Sequence, residues 1–332
     1  MKKFFILILV IALMGTLLIG CSSKEEASGE TSEEAGTEYK EKFVSIATGS
    51  VSGTYFPLGG AFSSIINKNM DGVNCSVEST GGSVANILLI SENETELAFV
   101  AASSAFDALN KQGAFTDKNV DNISGILSLY PEAVQIISTN ADIKSVSDLK
   151  GKKVAVGAVG SGTETMAKTI LGLYGMTYDD ITEDFLGFTD ASTGLKDNTI
   201  DAAFIWAGVP TSGVMDLGSQ HDISLINFEE QEVAKLKKIS PYAISINIDK
   251  SVYSSLVSES TTIAIPAILI GDTELSEEFV YNLLVNTFEN QTVLQNAHNR
   301  GFDITLETAL DGLDGISLHP GAQKFYEEKG LL

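Results

Sequence analysis

Arginine is almost missing from this chain: Arg300 is the only one in 332 residues. Guanidinium groups are the usual bidentate clamp for carboxylate and phosphate, so a site built from the glycine-rich loops must hold an anion by other means. Cysteine is scarce too, with Cys21 and Cys75 alone. A disulfide framework is excluded, and Cys75, inside the run Val73 to Glu78, reads as a small hydrophobe on a strand. The three histidines, His221, His298 and His319, have no metal-ligand spacing, so no metal site is expected. Positive charge is short overall: 21 Lys and Arg face 44 Asp and Glu, a formal net charge of −23. Such an acidic body is not expected to bind nucleic acid, and its field opposes long-range steering of an anionic ligand.

The N-terminus carries the one long apolar run. Lys2 and Lys3 precede Phe4–Ile19, too short for a comfortable membrane span, and the run ends at Cys21. Residues 1–20 read as a signal peptide with a lipoprotein box, cleaved before Cys21, whose sulfur takes the lipid. Two or more acyl chains on the new N-terminus make such anchoring effectively stable. Residues 21–42, rich in Glu, Ser, Gly and Thr, have little to bury and are expected to form a disordered acidic tether. The rest, from Phe43, is long enough for one large or two medium domains.

Strand and helix patterns then alternate, which predicts an α/β fold with mainly parallel sheet. Expected strands are Phe43–Ala47, Asn74–Ser79, Leu97–Ala101, Ile123–Leu129, Val134–Ser138, Lys153–Val156, Ala202–Trp206 and Ile223–Asn227. Expected helices are Pro57–Asn69, Ser83–Ile90, Ser103–Asn110, Thr163–Leu173, Glu229–Lys237, Glu277–Asn290 and Gly321–Lys329. The capped turn at Ser145–Gly151 opens a second lobe. The chain is expected to cross between lobes near Tyr130–Glu132 and to return along Thr261–Ile270, two crossings that would form a hinge.

Two strand–loop–helix units stand out. In the first, Phe43–Ala47 breaks into the loop Thr48–Gly53, and Pro57 falls in a first helical turn. The second runs from Lys153 through Ala158–Gly162 into Thr163–Leu173. Both aim the free N–H groups of a helix start at the carboxyl end of a strand, where open α/β sheets bind ligands and where anions are held by backbone dipoles. The loops Ser79–Ser83 and Ala102–Ser104 repeat the arrangement. Taken singly, each loop reads first as an ordinary helix cap: Ser161 and Glu164 fit a capping box, the serine accepting from a first-turn N–H and the glutamate reaching back. Four together point to a ligand site, with Tyr55, Phe56, Tyr130 and Trp206 as its candidate apolar side.

Enzyme readings fail on pattern. Gly49–Gly53 does not centre a serine as a nucleophile elbow does. Gly157, Gly160 and Gly162 do not make a dinucleotide fingerprint, and no P-loop lysine follows. The chain is therefore expected to bind without catalysing, with no cofactor.

Several stretches together resemble the TAXI type of solute-binding protein, the extracytoplasmic receptors of one branch of tripartite TRAP transporters. They are Ala47–Gly59, Ser79–Asn86, Leu129–Glu132, Asp148–Gly157, Gly160–Glu164, Asp201–Pro210 and Leu318–Ala322, and the resemblance spans Lys42 to Leu331. It implies a two-lobed type II periplasmic-binding-protein-like fold with a hinge between lobe 1 (residues 43–131 and 258–332) and lobe 2 (132–257). The implied function is capture of a small carboxylate, glutamate-like or a dicarboxylate or 2-oxo acid, and its delivery to membrane permease subunits. A monomer held by its lipid at the outer face of the cell membrane is expected. Ligand-binding positions carried over by the resemblance are Ser50, Thr54, Tyr55, Thr80, Gly81, Ser83, Ser161, Gly162, Thr163 and Trp206, to which the loop after the third strand adds Ser103. At that loop the family often has Gln-Ser-Asp, whereas this chain has Ala101, Ala102 and Ser103, which removes polar groups from one wall. An ABC-type receptor for a small anion or cofactor precursor is the alternative within the same structural class, and a cell-surface serine hydrolase is the alternative outside it.

Overall fold

The computed structural model describes residues 39–228 and 230–332. The expected signal peptide, the lipidation site Cys21 and residues 22–38 of the expected tether lie outside the described residues. Among the described residues, no helix is long and apolar enough to cross a membrane.

The end of the expected tether is not free chain. Tyr39 is buried edge-on against Phe279, with ring centroids 6.2 Å apart. The Glu41 carboxylate accepts from the N–H and hydroxyl of Ser276, at 2.7 and 2.9 Å, at the start of a late helix. Composition favours disorder here, but an aromatic and a carboxylate find partners more than 200 residues away, and those contacts win.

The elements alternate: β1 (Phe43–Ala47), α1 (Tyr55–Asn69), β2 (Asn74–Glu78), α2 (Ser83–Ser91), β3 (Leu97–Ala101), α3 (Ala102–Leu109) and β4 (Ile123–Ser138). Next come β5 (Lys153–Ala155), α4 (Gly162–Leu173), β6 (Thr182–Asp184), α5 (Phe188–Lys196), β7 (Ala202–Ala207) and α6 (Ser212–Gly218). The chain continues with β8 (Ser224–Leu225), α7 (Glu230–Ile239), β9 (Ile244–Ile248), β10 (Ser260–Asp272), α8 (Glu277–Glu289), α9 (Gln291–Ala297) and α10 (Pro320–Glu328).

The fold is mixed α/β. One sheet runs β2-β1-β3-β10-β4-β7-β5-β6, with β8 on β4 and β9 on β10. Its two outer thirds are parallel, as expected, but β10 is antiparallel to β3, β4 and β9, and β4 is antiparallel to β7. The expected pair of strands on either side of Tyr130–Glu132 is a single 16-residue strand, β4. Its proline does not end it because Pro131 faces Pro266 across the ladder, so two missing donors fall opposite one another. The ladder slips between Ala267 and Ile268 and again between Leu269 and Ile270. The sequence reading also missed β6, β9, α5, α6 and α9. α5 and α6 are short and rich in Gly, Ser and Thr, poor helix formers that packing of Ala191, Leu195, Val214 and Leu217 holds in place.

Beneath α1, Phe99 of β3 meets Phe62 and Tyr55 edge-to-face, each at 5.6 Å. Such pairs add about 0.5–1.5 kcal/mol beyond burial. Cys75 lies on β2, buried, and burial pushes its thiol up to about 11. The C-terminal stretch Leu318–Ala322 is structural. His319 caps α10 by accepting from Gly321 N at 3.2 Å, and its other ring nitrogen lies 3.0 Å from Leu275 O. A Cβ at Gly321 would lie 2.3 Å from Glu277 O and 2.8 Å from Tyr281 N, both backbone atoms of α8. Gly321→Ala is therefore expected to cost about 2–3 kcal/mol through overpacking, read as a fall of several degrees in Tm by calorimetry.

Candidate functional site

One cavity, about 80 Å³ in volume, gathers almost every predicted position. Ser50, Thr54, Tyr55, Thr80, Gly81, Ser83, Ser161, Gly162, Thr163 and Trp206 all line it. Ser103 does not join them. β3 passes straight into α3 at Ala102 without a loop, and Ser103 lines a separate depression with Asp107, Thr165 and Tyr242. Of the candidate apolar residues, Tyr55 and Trp206 face the cavity, while Tyr130 lines a groove shared with Arg300 and Asp303.

Four helices begin at the cavity: α1, α2, α4 and α5. The first-turn N–H groups of a helix have no partner within it. Among the described residues, no side chain caps α1, α2 or α5. In α4 the Ser161 hydroxyl accepts from Glu164 N at 3.0 Å. The second half of the expected capping box is absent, because the Glu164 carboxylate turns to Lys168 at 2.5 Å and to Tyr178. Donors from both flanks of the sheet therefore open on one cavity, an arrangement that suits a small anion.

The hydroxyls divide into scaffold and available groups. Thr80 is scaffold: its oxygen accepts from Gly82 N at 3.0 Å and lies 3.0 Å from Thr48 O. Buried Asn86 locks the same corner, its amide donating to Thr48 O at 2.6 Å and Phe99 O at 2.7 Å. Ser83 accepts from Ala101 N at 3.0 Å and its hydroxyl also acts on the Tyr55 oxygen, whereas Ser161 accepts from Glu164 N, which leaves its O–H available to donate.

The two flanks touch across the cavity. A Cβ on Gly162 would lie 3.0 Å from Ser83 Oγ and 3.4 Å from the Trp206 ring, and one on Gly81 would lie 3.7 Å from Val159 O. Gly213 N donates to Ser52 O at 3.1 Å, Thr189 to the Ser52 hydroxyl at 3.0 Å, and Thr54 to Gly208 O at 3.3 Å.

Glu132 is the lining residue the sequence reading passed over. It is 3 % exposed, and one carboxylate oxygen accepts from Tyr55 OH at 2.8 Å. Trp206 Nε1 donates to its main-chain carbonyl at 3.1 Å. Burial pushes its carboxyl up to about 8, only partly offset by the tyrosine hydrogen bond. The signal was present in the sequence, since Glu132 is the one charged residue in the apolar run Ile123–Ser138. Gly187 and Phe188 were missed because α5 was. Arg300 does not enter the cavity; its guanidinium pairs with Asp303 at 2.8 Å. Among the described residues, no cluster could hold a metal ion.

Solved structures of similar shape exist. A protein from Bordetella bronchiseptica RB50 aligns at 14 % identity and a TM-score of 0.52, over 89 % of this chain and 100 % of its own. The periplasmic aliphatic sulphonate binding protein SsuA of Escherichia coli aligns at 13 % and 0.47, over 86 % and 78 % of the two chains. The GluR0 ligand-binding core of Nostoc punctiforme, solved with L-glutamate, aligns at 17 % and 0.45, over 78 % and 99 %. At such identities the likeness is one of fold. Residues 46–330 match the NMT1-like family along most of the chain, and this protein belongs to that family.

Proposed function

We propose that this protein is an extracytoplasmic receptor that closes on a small carboxylate and presents it to the membrane subunits of a TRAP-type transporter. In this reading it is held at the outer face of the cell membrane by lipid on Cys21. Residues 43–131 with 258–332 form one lobe and 132–257 the other, and β4 and β10 carry the hinge. The ligand sites are the cavity-lining positions named above, and no bond is made or broken.

The observation that carries this reading is the convergence of uncapped helix starts from both flanks on one cavity. Each helix dipole contributes about 0.3–1 kcal/mol when exposed and up to about 2 when partly buried. Size supports it as well. One water occupies roughly 10–15 Å³ of such space, so about 80 Å³ suits a compact metabolite and not a nucleotide or a large cofactor.

A thermal-shift screen over amino acids, 2-oxo acids and dicarboxylates tests it. A ligand at about 100 times its Kd stabilises by about 2.7 kcal/mol, which is expected for at least one compound. Stabilisation by sugars or nucleotides alone would sink the proposal.

A further inference from the structure

A carboxyl group is a poor lining for a cavity that takes an anion. Glu132 is more than nine-tenths buried and lines that cavity. One of its oxygens is satisfied by Tyr55. For the other, no donor is found among the described residues, and no Lys, Arg or His lines the cavity. A hydrogen-bonding partner for Tyr55 alone could have been a glutamine; an acid adds the capacity to carry charge. With no Lys, Arg or His in the lining to balance it, an ionised Glu132 would find its counter-charge in a ligand that brings a positive group.

We propose that the ligand is an amino acid, with its carboxylate on the helix starts and its ammonium on Glu132, so that the cavity selects amino acids over the corresponding 2-oxo acids. This rests on the receptor reading above and narrows its substrate class. Buried charge is tolerated when paired and hydrogen-bonded, and the Tyr55 hydroxyl already supplies part of that environment. The zwitterion fits the donors and an ionised Glu132 at once, whereas a 2-oxo acid brings no positive charge to the ionised carboxylate and can only accept from its protonated form.

The pairing carries a proton signature. The titratable groups facing Glu132 are Tyr55 on α1 and Tyr130 on its own strand, both held well above their ordinary range by burial and so neutral. Arg300 acts on Tyr130 and is engaged by Asp303. In the empty cavity Glu132 holds its proton at neutral pH. Binding an ammonium expels that proton, and amino-acid affinity climbs by up to tenfold per pH unit until the carboxyl is already ionised. A 2-oxo acid or dicarboxylate has no such dependence or the opposite one.

The test titrates the protein calorimetrically with matched pairs, L-glutamate against 2-oxoglutarate and L-alanine against pyruvate, in two buffers of different ionisation enthalpy at pH 7. In at least one pair the amino acid is expected to bind 30-fold or more tightly and to release close to one proton. Glu132→Gln, which mimics the protonated acid in shape, is expected to lose that preference while still binding the 2-oxo acid. Equal or tighter binding of the 2-oxo acids, no proton release from the unaltered protein, or an unchanged amino-acid Kd in Glu132→Gln would each overturn the inference and leave the receptor reading standing. No binding by any amino acid, 2-oxo acid or dicarboxylate would overturn both.

Discussion

Gly162→Val is expected to weaken ligand binding by at least 100-fold, about 2.7 kcal/mol, while the protein stays folded. Gly162 is the first residue of α4, and its missing side chain is what allows the α4 and α2 starts to face each other. Even a methyl there would press on Ser83 Oγ at 3.0 Å and Ser83 Cβ at 3.2 Å. Valine adds two further carbons in the space where donors from the two flanks converge. Its φ is not in the left-handed region, so the backbone accepts a side chain. The clash lies across a cavity and not inside a core, so it is relieved by separating the flanks. Gly172→Ala is the control in the same helix. Nothing lies within 4 Å of a Cβ there, so binding should be unchanged and stability should rise by about 0.5–1 kcal/mol from helix propensity. Titration of both variants with the ligand found by the screen checks the pair. Unaltered affinity in Gly162→Val would mean that this loop is an ordinary cap.

The second large effect is on the ligand-free protein. Glu132 keeps its proton up to about pH 8 when folded, against an ordinary value of 4.5. Between those values the folded state binds the extra proton. Stability therefore falls as pH rises through this window, is free of the penalty below it and levels off above it. The full gap corresponds to about 5 kcal/mol as an upper bound. His298 and His319 act in the opposite sense, because burial lowers both, and stability from them grows as pH rises towards 6.5. The wild-type curve mixes these slopes, so the informative quantity is the difference between wild type and Glu132→Gln in urea unfolding at pH 5, 6.5 and 8. That difference should move towards the variant by several kcal/mol across the series. A difference independent of pH would show that Glu132 is ionised in the empty cavity.

The glycine- and hydroxyl-rich loops were legible in the sequence because turn chemistry is local: glycine, serine and a first-turn proline announce a strand ending and a helix starting wherever they stand. Their convergence on one cavity was inferred from the strand-end rule, and the structure brings the loops of β1, β2 and β5 together there. The loop after β3 failed that rule because Ala102 is already helical. What stayed hidden depends on contacts distant in sequence. Tyr39 and Glu41 read as tether until α8 is placed beside them. α5, with Phe188 at the cavity, has too little intrinsic helix preference to be seen before β7 and α6 are in place. Glu132 was visible as a charge in an apolar strand, but only its position opposite Tyr55 turns that oddity into a feature of the site.

The irregular ladder between β4 and β10 has a consequence for how the protein changes shape. Two facing prolines and two register slips cluster within a few rungs of the Ile265–Glu132 pair. Twisting is cheapest where regular bonds are already missing, so any change in splay between the outer thirds of the sheet concentrates there. In the receptor reading proposed above, with the two lobes closing about this ladder, wetting of the Glu132 carboxyl is expected to track that splay. Conformation and protonation would then be two readouts of a single coordinate, with the acid near its pivot.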